Sequence, residues 1–111
     1  MEIKKETNAT TLTVSLIGRL DAVTAPELDK DLKPSLEGMK ELIFDLAQLD
    51  YIASAGLRIL LKYQKLMDKA GNYMKIKNVK VEVKEVLDMT GFSDFLHIID
   101  STTKKKLSIE F

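Results

Sequence analysis

The chain alternates between strand-like and helix-like stretches, and this alternation limits the fold more than any other feature of the sequence. Apolar and polar residues alternate in residues 11–17, a period of two that is typical of a half-buried strand. Residues 3–5, before a polar turn at Asn8-Ala9, are expected to form its antiparallel partner. Residues 42–46 are apolar apart from Asp45, as expected for a central parallel strand covered on both faces.

A helix is predicted between these two strands. Thr24 and Glu27 have the spacing of a capping box, in which each side chain satisfies a backbone N–H group of the other residue. Val23 is expected to pack against Leu28, as in a hydrophobic staple. Pro34 removes one helical hydrogen bond, so the helix is expected to kink or end near it.

The second half of the chain repeats the strand and helix patterns. Gly71 is a suitable residue to follow a long helix, because glycine adopts the left-handed conformation without strain. Asn78 is expected to cap a further helix that Gly91 stops. The elements predicted here are a helix from near Ala55, a strand at 73–77, a helix after Asn78, a strand at 97–99 and a terminal helix from Ser101.

The predicted order is therefore β-β-α-β-α-β-α-β-α within one domain spanning residues 1–111. Alternating strands and helices imply right-handed crossovers and a mostly parallel sheet, here with an N-terminal antiparallel hairpin strand and about four helices. Sites in such open sheets form at the carboxyl ends of strands. This rule selects two predicted loops, Gly18 to Thr24 and Leu49 to Gly56.

Composition excludes several classes of function. The 17 basic and 17 acidic residues cancel, so the chain lacks the positive surface that nucleic-acid binding needs. It has no cysteine and a single histidine, His97, which excludes thiolate and multi-histidine metal sites. No apolar run approaches the roughly 18 residues of a membrane span, and residues 1–6 lack the apolar part of a signal peptide. A cytoplasmic domain without membrane insertion is expected.

Ser54 is the residue in the second loop that most invites a functional interpretation. It stands immediately before the long predicted helix, so the simpler interpretation is an N-cap whose hydroxyl accepts a helical N–H. The same position suits phosphorylation, because the free N–H groups and the helix dipole favour an anion there. Arg58, one turn further on, is either a solvated charge or a residue that contacts a partner or a phosphate. Arg19 and Asp21, in the first loop, either form an ordinary turn or belong to a partner surface.

Enzymatic alternatives have weaker sequence support. A hydrolase nucleophile elbow needs Gly-x-Ser-x-Gly, and here the first glycine position is occupied by Ile52. The base of such a hydrolase would have to be His97. Asp45 resembles the phosphoacceptor of a receiver domain, but the sequence has no paired acids to hold the magnesium ion of that chemistry. The simpler interpretation of Asp45 is a hydrogen bond to neighbouring backbone.

Several segments together resemble the STAS domains of bacterial anti-sigma-factor antagonists. The serine segment is the most specific of them, and the similarity extends along nearly the whole chain. The segments are Gly18-Arg19-Leu20-Asp21, Thr24-Ala25, Phe44-Asp45-Leu46, Tyr51-Ile52-Ala53-Ser54-Ala55-Gly56-Leu57 and Leu87-Asp88-Met89-Thr90-Gly91-Phe92.

The resemblance implies a non-enzymatic switch protein with no catalytic residue, metal or cofactor of its own. In the family, the unmodified antagonist binds an anti-sigma factor that is also a serine kinase, and this frees the sigma factor. The kinase uses its bound ATP to phosphorylate the loop serine, which ends the association, and a serine phosphatase restores it. Ser54 falls at the phosphoacceptor position. The partner-binding residues that the resemblance implies are Asp21, Thr24, Ile52, Ala53, Ala55, Gly56, Leu57 and Arg58.

One residue departs from the family pattern. The family commonly has an aspartate immediately before the acceptor serine, and here that position is Ala53. This departure leaves a second hypothesis open, a STAS scaffold that is not phosphorylated or a subunit associated with a transporter. A hydrolase using Ser54 or a phosphotransfer protein using Asp45 is the third hypothesis.

Overall fold

A computed structural model describes residues 1–99 of the chain, and the predicted terminal helix from Ser101 lies outside them. The described residues form one α/β unit around a five-stranded sheet. Its elements in chain order are β1 (Glu2–Asn8), β2 (Thr11–Leu20), α1 (Ala25–Ser35), β3 (Glu41–Ile52), α2 (Ser54–Lys69), β4 (Tyr73–Lys77), α3 (Val81–Met89), a 3-10 turn (Phe92–Asp94) and β5 (Ile98–Ile99).

The strands lie in the sheet in chain order, β1-β2-β3-β4-β5. β1 pairs antiparallel with β2, and the other three pairings are parallel. The predicted fold class, a mostly parallel sheet with an N-terminal hairpin strand, is confirmed. Residues 1–99 contain three α-helices, against about four predicted for the whole chain.

The core lies between one face of the sheet and the helices. β2 and β3 alternate between fully buried and half-buried residues, as the period-two pattern predicts. The prediction that both faces of the central strand are covered is wrong in part, because Ile43 and Asp45 are only half-buried. The largest buried side chains are Tyr63, Phe44, Leu12, Leu16, Leu20, Leu28, Leu32, Leu42, Leu46, Leu49, Leu57 and Leu60.

β2 and β3 both run further than their sequence patterns indicate. The segments predicted as loops, residues 18–20 and 49–52, belong to these strands. The register between them shifts twice, once between Ser15 and Ile17 and once between Gly18 and Arg19. Each shift places one extra residue in β3 and breaks the alternation of buried residues there, so a strict period of two misses the end of that strand. The extra length carries both strands to the edge of the sheet where α1 and α2 begin.

The predicted caps of α1 and α3 are wrong. Thr24 precedes α1, but its side chain makes no capping hydrogen bond, and Val23 is 76% exposed rather than packed on Leu28. The hydroxyl of Thr24 is held instead in the preceding turn, where it accepts a hydrogen bond from the Asp21 N–H. Asn78 adopts a left-handed conformation before α3, and the residue that precedes the helix directly is Lys80.

A partly buried polar cluster joins α1 to α2. The Tyr63 hydroxyl donates to the carboxylate of Asp29, and the Lys62 ammonium lies 2.9 and 3.0 Å from the two carboxylate oxygens. The hydrogen bond from Tyr63, with that from Lys62, lowers the pKa of Asp29 below its ordinary value. Burial and the Asp29 carboxylate raise the pKa of Tyr63, so the phenol stays a donor. This cluster fixes the helix that follows the first loop against the helix that carries Ser54.

Candidate functional site

The carboxyl ends of β2 and β3 meet at one edge of the sheet. Leu20 and Ile52 are register partners there, and the Ala53 N–H donates to the Leu20 carbonyl at 2.9 Å. The chain then enters the turn before α1 on one side and α2 on the other. The two segments selected by the strand-end rule, around Asp21 and around Ser54, are therefore neighbours.

Ser54 is the first residue of α2, and it is exposed. The prediction that Ser54 is the N-cap is wrong, because Ala53 occupies that position in an extended conformation with φ −108° and ψ 175°. Ala53 has no side-chain oxygen, so α2 begins without a side-chain cap. The Ser54 side chain thus stands at the electropositive end of a 16-residue helix, where an anion is stabilised by the helix dipole.

The turn beside Ser54, residues 21–24, is held by the Asp21 carboxylate and is called the Asp21 turn below. Its Oδ1 accepts hydrogen bonds from the N–H groups of Val23 and Thr24 at 3.0 and 3.1 Å. The Thr24 hydroxyl, which lies 2.9 Å from the Arg19 carbonyl, also lies 3.2 Å from Asp21 Oδ1. The backbone hydrogen bond from Thr24 is the largest cause of a lowered Asp21 pKa, so this carboxylate is charged at neutral pH. A fixed negative charge therefore stands in the turn next to the Ser54 segment.

The partner-binding residues that the resemblance implies divide by burial. Ile52, Gly56 and Leu57 are buried. They can therefore affect binding only indirectly, by positioning the exposed residues next to them. Asp21, Thr24, Ala53 and Ala55 are half-buried, and Arg58 is exposed with Ser54. The accessible part of the set lies in the turn before α1 and on the first turn of α2.

Gly56 has a packing role that explains its burial. A Cβ built on Gly56 would fall 2.6 Å from Cγ of Leu20 and 3.0 Å from Cγ1 of Ile52. Real Cβ atoms do not approach carbon so closely, so only glycine lets the first turn of α2 lie directly on the ends of β2 and β3. This contact sets the position of Ser54 against the sheet.

Sequence reasoning missed two contacts at this edge. The Arg19 guanidinium lies over the ring of Tyr51, with Cζ 4.1 Å from the ring centroid. Asp50 forms an ion pair with Lys80, which ties the end of β3 to the start of α3. Both depend on the register between strands that are distant in the sequence, and no local pattern reports that register.

The enzymatic hypotheses gain no geometric support. His97 lies beside the start of β5, and the register through β4 aligns Ile98 with Ile76 and hence with Phe44. Ser54 follows Phe44 by ten residues, and eight of them lie in β3. Ser54 and His97 are therefore on the order of 25 Å apart along the sheet. A Ser–His pair needs hydrogen-bond contact, so these residues do not form one.

Asp45 has the structural role that its simpler interpretation predicts. Its Oδ1 accepts hydrogen bonds from the Ala47 N–H at 3.1 Å and from the Asn78 side chain at 3.2 Å. Residues 1–99 contain no group of three or more His, Cys, Asp or Glu side chains placed to hold a metal ion. No helix in this part of the chain has the length and apolar character needed to cross a membrane.

Comparison with known proteins places this edge in a wider context. The STAS-domain family model matches residues 2–105. The anti-sigma-B factor antagonist of Bacillus subtilis is 28% identical over 103 residues, covering 93% of this chain and 92% of that protein. The protein of that name from Staphylococcus epidermidis is 30% identical over 90 residues, covering 80% and 83%.

Solved structures support the fold. The anti-sigma factor antagonist SpoIIAA in its unphosphorylated form superposes with a TM-score of 0.78 at 16% identity, covering 96% of this chain and 93% of that one. At 16% identity this similarity shows a shared fold and nothing more. Taken with the family match over nearly the whole length, it shows that this chain belongs to the STAS domain family.

Proposed function

We propose that this protein is an anti-sigma-factor antagonist controlled by phosphorylation of Ser54. In this proposal the unmodified protein binds an anti-sigma factor that is also a serine kinase, and the sigma factor is released. The kinase transfers the γ-phosphoryl group of its bound ATP to the Ser54 hydroxyl, and ADP leaves. A serine phosphatase hydrolyses the phosphoester and restores binding. Since the cycle uses ATP, we place it in the cytoplasm, with residues 1–111 acting as one STAS-like domain.

The observation that carries this proposal is the position of Ser54. Its side chain is exposed on the first residue of α2, at the same edge as the Asp21 turn. A kinase can reach such a hydroxyl without unfolding any element. The relatives named as anti-sigma-B factor antagonists support the choice of partner.

Charge explains how one phosphate ends the complex. The modification adds about −1.5 to −2 charges at neutral pH. In a docked complex this dianion must lose water or find a cation, and the fixed charge of Asp21 adds repulsion nearby. A thousandfold loss of affinity requires only about 4 kcal/mol. No movement of the fold is needed for the switch.

The test is phosphorylation by the partner kinase. A pull-down on the immobilised protein, with ADP and then with ATP, identifies bound proteins of the serine-kinase class. The purified kinase is incubated with this protein and ATP, and modified residues are mapped by mass spectrometry. We expect one modified site, Ser54, and no modification of a Ser54→Ala variant. Binding without modification of Ser54 would refute the switch and leave a binding module.

A second candidate function rests on Ala53. The family commonly has a carboxylate at this position, and its loss removes a charge beside the acceptor hydroxyl. The candidate is a constitutive STAS scaffold or a subunit associated with a transporter. Co-purification with membrane-transport components, and with no ATP-binding kinase, would favour it over the phosphorylation switch.

A further inference from the structure

A guanidinium stacked on an aromatic ring stands at the same edge as Ser54. Gly18 pairs with Leu49, and the register then shifts so that Arg19 pairs with Tyr51 rather than Asp50. The extra residue of this shift is Asp50 in β3, and across from it Gly18 has φ +106°, a conformation that residues with a side chain rarely adopt. The stack is therefore built into the backbone of β2 and β3.

The stacked guanidinium retains hydrogen-bonding capacity. Its side chain is 62% exposed, and it forms a long ion pair with Asp21, in which Nε lies 3.9 Å from Oδ2, beyond hydrogen-bond distance. The other oxygen of Asp21 is occupied by the N–H groups of Val23 and Thr24. A guanidinium held over a ring makes no hydrogen bond to it and keeps its N–H donors, whose fork matches a carboxylate.

Apolar surface accompanies this charge. Tyr51 is 42% exposed and Val23 is 76% exposed, and both lie within three residues of the site residues Ser54 and Thr24. Tyrosine and arginine dominate the residues that contribute most to protein interfaces. Because the stack is formed before binding, less side-chain entropy is lost when a partner docks.

We propose that Arg19 and Tyr51 bind a carboxylate side chain of the protein partner that docks at Ser54. The carboxylate accepts two hydrogen bonds from Arg19, and an apolar neighbour of that acid packs on Tyr51 and Val23. This inference rests on the proposed function and adds the chemistry that the partner must present. It also gives the surface an attractive contact that does not involve Ser54.

The test compares affinities for the kinase identified by the pull-down described above. Tyr51→Ala and Arg19→Ala are each expected to weaken binding about tenfold or more. Arg19→Lys is expected to recover only part of the affinity, because an ammonium keeps the charge but lacks the planar fork. Tyr73→Ala is the matched control: Tyr73 is also an exposed tyrosine, 68% accessible, but it starts β4 at the opposite edge, and its loss is expected to change affinity less than twofold. Urea unfolding confirms that each variant folds.

The outcomes separate the two proposals. If the unmodified wild-type protein binds no kinase, the proposed function fails and this inference fails with it. If the wild-type protein binds but Tyr51→Ala and Tyr73→Ala bind equally, only the recognition pair is refuted. If Tyr51→Ala instead changes the mass of the isolated protein in light scattering, the pair contacts a second copy of this chain and the inference is overturned.

Discussion

Gly56 in the first turn of α2 lies directly against the side chain of Leu20 at the end of β2, with 2.6 Å between a Cβ built on the glycine and Cγ of the leucine. The contact joins the two segments of the candidate site. Helix α2 begins two residues earlier at Ser54, and the Asp21 turn begins one residue after Leu20. The depth at which the helix meets the sheet therefore sets the spacing between the hydroxyl and the neighbouring carboxylate.

Gly56→Ala is expected to destabilise the protein by about 1–3 kcal/mol, the usual cost of adding a methyl group to a packed core. The first turn of α2 must shift away from Leu20, and binding of the proposed partner kinase should weaken with it. Urea unfolding measures the stability, and titration calorimetry measures the affinity.

Leu20→Ala supplies the control for this contact. Alone it should cost about 2–5 kcal/mol, because it leaves a cavity. In that background Gly56→Ala should cost clearly less than in the wild type, because the colliding side chain is gone and residues in contact are not additive. An equal cost in both backgrounds would show that Leu20 is not what excludes a side chain at position 56.

Two substitutions separate the effect of a negative charge at position 54 from the effect of losing the Ser54 hydroxyl. Ser54→Asp is expected to weaken binding to the proposed partner kinase by at least about 1–2 kcal/mol, because the new carboxylate must be desolvated beside Asp21. Ser54→Ala should bind like the wild type but continue to bind in the presence of ATP. Affinities of all three proteins are measured with ADP and with ATP. Equal affinity of Ser54→Asp and the wild type would contradict the charge mechanism.

The fold was predictable because its signals are local. The alternation in residues 11–17, the glycines after α2 and α3 and the short last strand all act within a few residues, and each appears where predicted. The contacts of the site are different in kind. The stack of Arg19 on Tyr51 and the fit of Gly56 against Leu20 depend on a register that shifts twice, which the periodicity of one strand does not encode.

The helix starts show the same division. Thr24 and Glu27 have capping-box spacing, yet the Thr24 hydroxyl is held by the Asp21 turn rather than by α1. Local side-chain hydrogen bonds compete with caps, and here the turn wins because the Asp21 carboxylate satisfies two backbone N–H groups at once. Spacing alone does not decide between these arrangements.

The polar cluster of Asp29, Lys62 and Tyr63 between α1 and α2 is expected to contribute to stability. Tyr63→Phe keeps the buried ring but removes the hydroxyl that donates to Asp29. Since hydrogen bonds to charged groups contribute more than neutral ones, the expected loss is about 1–2 kcal/mol. Urea unfolding at neutral pH measures it. Lys65→Ala, an exposed change on the same helix, should stay close to the wild type.

Acid should remove the same stabilisation. The pKa of Asp29 is lowered in the folded protein, chiefly by Tyr63 and then by Lys62, so its contribution is complete above the unfolded value near 4. It is lost as the pH falls from there through the folded pKa. Stability measured from pH 7 to pH 3 should therefore fall less steeply for Asp29→Asn than for the wild type. Parallel curves would show that Asp29 does not contribute to acid unfolding.

Ala53 occupies the N-cap of α2 in the extended conformation that a capping residue needs, but it has no oxygen to offer. Ala53→Asp restores the carboxylate common in the family and should stabilise the protein by about 1 kcal/mol, because aspartate caps free N–H groups and its charge favours the helix dipole. Ala53→Ser is the matched control, since it caps without a charge. Both variants should raise the urea midpoint, but only Ala53→Asp should increase the rate at which the proposed partner kinase modifies Ser54, measured by mass spectrometry over time. If the modification rate rises equally in the two variants, capping, and not the negative charge, is what the missing aspartate supplies. If neither variant changes the urea midpoint, position 53 does not cap α2.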